Sequence, residues 1–298
     1  MNAARALLAD LVDYAGLFPP AALSMEDAVA EYARWRRSPE AWMLGRFVLP
    51  AGRLAELART ADAHLPEPGA GEPWRLSALL GADVHGDSAL VTAFNAKSAG
   101  RAVVDAVELK AGSAREAEIA LAALPPGLAV FVEAPLDGDL DGVLAVLAAH
   151  GARAKTRTGG VVPEAIPAPA DVARFIAACA GAGVPWKATA GLHHPVRAEH
   201  NLTYAGDSPR AVMHGFLNVF AAGALARAGA SPDDLEAVLR ESDPTALRLG
   251  ADALAWRHLR ASTDEVREAR RTFATSFGSC SFAEPVAGLR ELGVLGGS

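Results

Sequence analysis

Ala152-Arg-Ala-Lys-Thr-Arg-Thr-Gly-Gly160 and Val184-Pro-Trp-Lys-Ala-Thr-Ala-Gly-Leu-His-His-Pro-Val-Arg197 each open as a short apolar run that carries one lysine and breaks off at glycine. Between them, after Pro169, residues Val172, Phe175, Ile176 and Cys179 fall at i, i+3, i+4 and i+7. That spacing gives one apolar helix face. Strand, helix and strand in this order make a βα unit, whose two strands run parallel.

The same alternation extends in both directions. Candidate strands are Val12–Phe18, Gly45–Leu49, Leu76–Ala82, Ala106–Lys110, Ala129–Glu133, Ala152–Thr156, Trp186–Ala190 and Val212–Leu217. Several are apolar on both faces, as in Leu128–Ala134, which suits a parallel sheet covered on both sides. Helix starts sit between them. Ser24 precedes Met25, Val29 and Tyr32 at helical spacing, and Ser113 with Glu116 forms a capping box. Gly151 follows an apolar helical run as a stop. No GxGxxG follows the first strand, which removes the usual mark of a dinucleotide-binding open sheet. Eight strands with helices between them predict an α/β fold, a (β/α)8 TIM-type barrel over residues 1–229. Residues 230–298 read as a helical C-terminal extension packed on it, with a capping box at Ser262 and Glu265.

Composition narrows the function classes. Of 298 residues, 51% are hydrophobic, enough for a large core without disulfides. The net charge is −7 with acids and bases interspersed, which argues against nucleic acid as a partner. The two cysteines, Cys179 and Cys280, are too few for a disulfide framework. The first residues lack a signal-peptide pattern, and His214 and Arg227 interrupt the most apolar run, so a cytoplasmic protein without membrane contact is expected. The five tryptophans and the apolar tail are compatible with a homodimer.

Barrel enzymes take their catalytic groups from the C-terminal strand ends and the loops that follow. Polar residues occupy those positions here: Asp13, Glu108, Glu133, Lys155, Lys187, His193, His194, His214 and Asn218. A lysine that points into a barrel is desolvated, which lowers its pKa and makes it a nucleophile or base; one at a strand end can instead snorkel outward. Asp13 is either an inward carboxylate or a helix-end cap. Thr158-Gly159-Gly160 offers backbone N–H groups for an anion, with Arg157 as charge partner, or is a plain tight turn. Arg197 is placed to clamp a second anionic group, with His194 and Asn218 as further substrate contacts. Cys280 is either a presented thiol or a small buried hydrophobe.

The two lysine strands, KTRTGG and WKATAG, resemble the class I deoxyribose-phosphate aldolases, in which a strand lysine forms a Schiff base and a lysine on the next strand activates it. The resemblance is confined to residues 152–197. It implies that Lys155 is the Schiff-base lysine and Lys187 its partner, with no organic cofactor. Glu108, Glu133, His193 or His214 would then move the proton, and a small anionic carbonyl compound would be the substrate. Two other readings stand beside it. One is a divalent-metal enzyme using His193 or His194, His214 and a glutamate. The other is a non-catalytic barrel that binds an anion, or a partner protein through its C-terminal helices.

Overall fold

A computed structural model describes residues 2–98 and 100–295. Eight parallel strands close into a barrel: β1 (Val12–Tyr14), β2 (Leu44–Pro50), β3 (Trp74–Leu79), β4 (Ala102–Lys110), β5 (Ala129–Glu133), β6 (Arg153–Arg157), β7 (Trp186–Thr189) and a last strand, Ala274–Ser279, that pairs with both β7 and β1. Helices connect the strands and cover the outside, as in a TIM-type barrel. The sequence explains where they start and stop. Ser24, Asp83, Ser113 and Asp139 each accept a backbone N–H in the first turn of a helix. Gly151 ends the helix that Asp139 opens, and Gly183 ends the helix Pro169–Ala182, both in the left-handed conformation.

The closing strand corrects the sequence reading. Val212–Leu217 is not the eighth barrel strand. Its first part belongs to β9 (Arg210–Met213), which pairs antiparallel with β8 (Ala198–Asn201) in a hairpin after β7. Its last part opens the helix Phe216–Arg227. That helix is buried from Phe216 to Leu225 because it lies between the barrel wall and three further helices, which accounts for a run apolar on every side. Residues 230–298 are therefore more than a helical cover. They contain the helix Pro232–Arg240, a three-stranded sheet of β10 (Leu247–Leu249), β11 (Ala253–Trp256) and β12 (Leu259–Ser262), the helix Thr263–Thr272, the closing strand β13 (Ala274–Ser279) and the helix Ala283–Glu291. The barrel is complete only when the chain returns near its end.

The wall around β7 is packed by aromatic rings. Trp186 stacks on Phe220 at 5.4 Å and meets Phe175 and Phe273 edge-on. Its position fixes the neighbouring Lys187, which must point the other way, into the barrel. The bottom of the barrel holds a separate ion group, in which Asp105 bridges Arg46 and Arg75 at 2.6 and 3.0 Å.

The loops after β6 and β7 touch through glycine backbones. A Cβ on Gly159 would lie 2.9 Å from Gly191 Cα, and one on Gly191 would lie 2.7 Å from Gly159 Cα. Gly191 also sits at φ +76°, where a side chain is strained. Gly191→Ala is expected to cost about 1–3 kcal/mol in denaturant unfolding. Gly52→Ala is the contrast: nothing lies within 4 Å of its Cβ, and the change should stay within about 0.5 kcal/mol. Equal stability of the two variants would show that the loop contact is not a constraint.

Candidate active site

Five barrel strands bring alternating charges together inside the C-terminal half of the barrel. Lys155 of β6 and Lys187 of β7 are in register, and Lys155 is in register with Glu133 of β5. Inward side chains on neighbouring strands must therefore meet. Lys187 Nζ lies 2.5 Å from Asp13 Oδ2 and 2.8 Å from Glu108 Oε1. Lys155 Nζ lies 3.1 Å from Glu108 Oε2 and 2.9 Å from Glu133 Oε2. Glu108 is thus shared by the two ammonium groups, one on each oxygen. The ladder ends at the mouth, where exposed Lys110 approaches Glu133 at 3.7 Å.

The remaining lone pairs are also satisfied. Ser77 donates to Glu108 at 2.7 Å, Ser276 donates to Asp13 at 2.8 Å, and the backbone N–H of Arg46 donates to Asp13 at 2.9 Å. Buried charges persist only when paired and hydrogen-bonded in this way. Burial opposes ionisation of Glu108, but the charges of Lys187 and Lys155 and the hydrogen bonds from Lys187 and Ser77 outweigh it and hold the carboxyl well below the ordinary range. Burial likewise opposes the charge on Lys187, yet Asp13 and Glu108 outweigh it and raise its pKa above that of a free lysine. The expectation that burial depresses the pKa therefore fails for Lys187, because two carboxylates within hydrogen-bond distance exceed the desolvation penalty.

A cavity of about 670 Å³ opens above the ladder. Glu108, Lys155 and Lys187 reach its floor, Glu133 lies towards its mouth, Arg157 and His193 line its polar side, and Phe18, Pro19, Leu80 and Val161 its apolar wall. Gly160 also lines it, whereas Gly159 is turned onto Gly191. Thr158 is buried and donates to the carbonyl of Ala190 at 2.6 Å, tying the two loops together. The Thr158-Gly159-Gly160 turn is thus built by loop packing, with Gly160 alone of the three residues at the cavity.

Three other expected site residues line no part of this cavity. His214 is buried with Nε2 2.8 Å from the carbonyl of Pro167, and burial lowers its pKa. Asn218 is fully buried; its amide donates to the carbonyls of Val238 and Glu241 and its oxygen accepts the Arg197 N–H. It is a stitch between helices. Arg197 is held beside it, and burial lowers its pKa. The positions of His214 and Asn218 follow from β9 not being a barrel strand. His194 is displaced as well: it stacks on His200 with ring centroids 3.4 Å apart in an adjoining hollow. The proposed metal ligands are consequently not brought together, since Glu284 holds His193 while Pro167 holds His214. Among the described residues, no three His, Cys, Asp or Glu side chains are grouped to hold a metal ion. No described helix is long and apolar enough to cross a membrane.

Asp13 is the resident that the sequence left open. It is fully buried and inward, and its only sequence signal is an acid within the apolar run Leu11–Tyr14. Ser77, Ser276 and Glu284 carry no such signal. Cys280 is buried but lines the cavity, and burial raises its thiol pKa.

The fold and site define an enzyme-like TIM barrel, with a buried ion ladder under an open pocket at the strand ends where such folds place chemistry. The chain matches no known family model, and no curated protein matches it.

Proposed function

We propose that this barrel is a cofactor-independent lyase of the aldolase type, acting on a small anionic carbonyl compound through an imine on Lys155. The observation that carries the reading is the unequal placement of the two lysines' carboxylates: each lysine meets two, but Asp13 lies beneath the cavity and Glu133 lines it. Lys187 is held by two carboxylates, its pKa raised by them, and serves as a fixed positive charge. Lys155 shares Glu108 with Lys187 and leans on Glu133, which itself reaches the cavity mouth. Because Glu108 is pinned in its ionised form, Glu133 is the carboxylate to which Lys155 gives up a proton before attack.

The amine then adds to the substrate carbonyl, and the oxygen leaves as water after accepting two protons. The resulting iminium draws electrons from a bond to the α carbon, which breaks as C–C or C–H. Arg157 at the cavity wall holds the anionic end. Lys187 keeps the positive potential that favours the electron-rich enamine.

Borohydride reduction tests this directly. The protein is incubated with pyruvate, dihydroxyacetone phosphate or glyceraldehyde 3-phosphate, reduced, digested and mapped by mass spectrometry. A secondary amine on Lys155 and none on Lys187 is expected. No adduct with any of the three, or an adduct confined to Lys187, overturns the assignment. A non-catalytic anion-binding barrel gives the first of these results.

A further inference from the structure

We infer that His193 and Glu284 form a second acid–base pair at the same cavity, with Glu284 the positioning residue and His193 Nε2 the base for a hydroxyl on the substrate. His193 follows β7, and Glu284 lies in the first turn of the helix that follows the closing strand. The fold therefore brings them together from the last two strand ends. His193 Nδ1 lies 2.8 Å from Glu284 Oε2. Donation of Nδ1–H to that carboxylate fixes the tautomer, so Nε2 carries the free lone pair.

The surroundings support an ionised Glu284 reserved for His193. Burial opposes its charge, but the hydrogen bonds from His193 and Tyr204 lower its pKa. Tyr204, brought in by the chain between β8 and β9, donates to the same Oε2 at 3.1 Å. The neighbouring histidine does not compete: burial, His200 and His193 bring the pKa of His194 down to about 4. His193 is itself buried, and it lines both the main cavity and the adjoining hollow of about 440 Å³. A bare imidazole nitrogen, oriented by a carboxylate and placed at a cavity wall, is the arrangement of a general base.

This role rests on the imine reading and narrows its substrate class to β-hydroxy carbonyl compounds. His193 Nε2 takes the proton of the β-hydroxyl. The O–H electron pair becomes the C=O of a departing aldehyde or ketone. The Cα–Cβ pair passes into the iminium on Lys155, leaving an enamine, so that charge and atoms balance.

Alkylation by bromopyruvate tests the pair without requiring the imine. Nε2 displaces bromide from the methylene carbon, and the adduct is mapped by mass spectrometry in full-length protein carrying Cys280→Ser. The exposed histidines His64, His85 and His258 are internal references. His193 is expected to be labelled at least about tenfold faster than these. Glu284→Ala should bring its rate down by about tenfold or more, and Glu284→Gln, whose amide oxygen still accepts Nδ1–H, should keep it within about threefold of the parent. Labelling of His193 no faster than the references, or a rate untouched by Glu284→Ala, overturns the inference. Absence of borohydride trapping with His193 labelling intact would instead sink the imine and leave the pair standing.

Discussion

Replacement of Lys187 by methionine is expected to destabilise the folded protein by about 3–5 kcal/mol at neutral pH. Methionine keeps most of the volume and packs against Phe131, whose ring the Nζ now faces at 5.3 Å. What is lost is the charge between Asp13 and Glu108, which are both buried. Removing one partner of a buried ion group costs more than the group contributes, because the other charges stay behind without water. The largest part of the penalty is therefore electrostatic and should be recoverable by removing charge. Glu108→Gln on the Lys187→Met background is expected to restore at least about 1 kcal/mol in urea unfolding, although each change alone is destabilising. A Lys187→Met protein within about 1 kcal/mol of the parent would show that the ladder is not what balances this interior.

The pH dependence of the two proteins should differ in the acid range. In the parent, the carboxyl of Glu108 ionises more readily when folded than when unfolded. Its contribution to stability is thus present above the ordinary carboxylate pKa and lost as pH falls through the lower, folded value. Lys187 is the reverse case, with a raised pKa. Its contribution is complete below the ordinary lysine value and is lost as pH rises through the raised one. The two contributions arise from one set of contacts and are not additive. Between those limits the parent should show a flat plateau. Lys187→Met lacks the counter-charge, so protonating its buried carboxylates relieves strain, and its deficit should shrink between pH 7 and about pH 5. Urea midpoints at both values measure this.

Much of the barrel was legible because its signals are local. Strands β2 to β7 are apolar runs bounded by turns, and capping at Ser24, Ser113 and Ser262 depends on residues three apart. The lysine pair was legible for the same reason, since a charge in an apolar strand has few places to go. The closing strand was not. Ala274-Thr-Ser-Phe-Gly-Ser279 is short and made mostly of small residues, so it resembles a turn. It is also separated from β7 by the hairpin, three helices and a small sheet, which breaks the βα rhythm. That one displacement moved two site assignments. His214 as a proton carrier and Asn218 as a substrate contact were placed by a supposed eighth strand, while the residues at the true strand end, Gly278 and Cys280, lay in what read as a tail. Asp13 and Glu284 were undecidable for a different reason. Each acquires its role from a partner far along the chain, Lys187 and His193 respectively, and no periodicity records such a meeting.

Lys155→Ala is expected to abolish borohydride trapping and to lower any lyase rate by roughly 10³-fold or more, the scale of losing a covalent nucleophile. Its stability should suffer less than that of Lys187→Met. Glu133 lies at the cavity mouth, where Lys110 already approaches it, so one of the two carboxylates released by Lys155 keeps a cation and gains water. Glu108 keeps Lys187 and Ser77. In Lys187→Met, Glu108 keeps Lys155, but Asp13 is left fully buried without its lysine. The two substitutions should consequently separate. Lys155→Ala gives a folded protein without chemistry, and Lys187→Met gives a weakened protein in which the imine still forms, more slowly. Trapping yield per folded molecule, with folded fraction read from near-UV circular dichroism, distinguishes them. If Lys155→Ala traps carbonyl as the parent does while Lys187→Met cannot, the roles of the two lysines are exchanged. The barrel would then use as nucleophile the amine that its carboxylates hold most firmly.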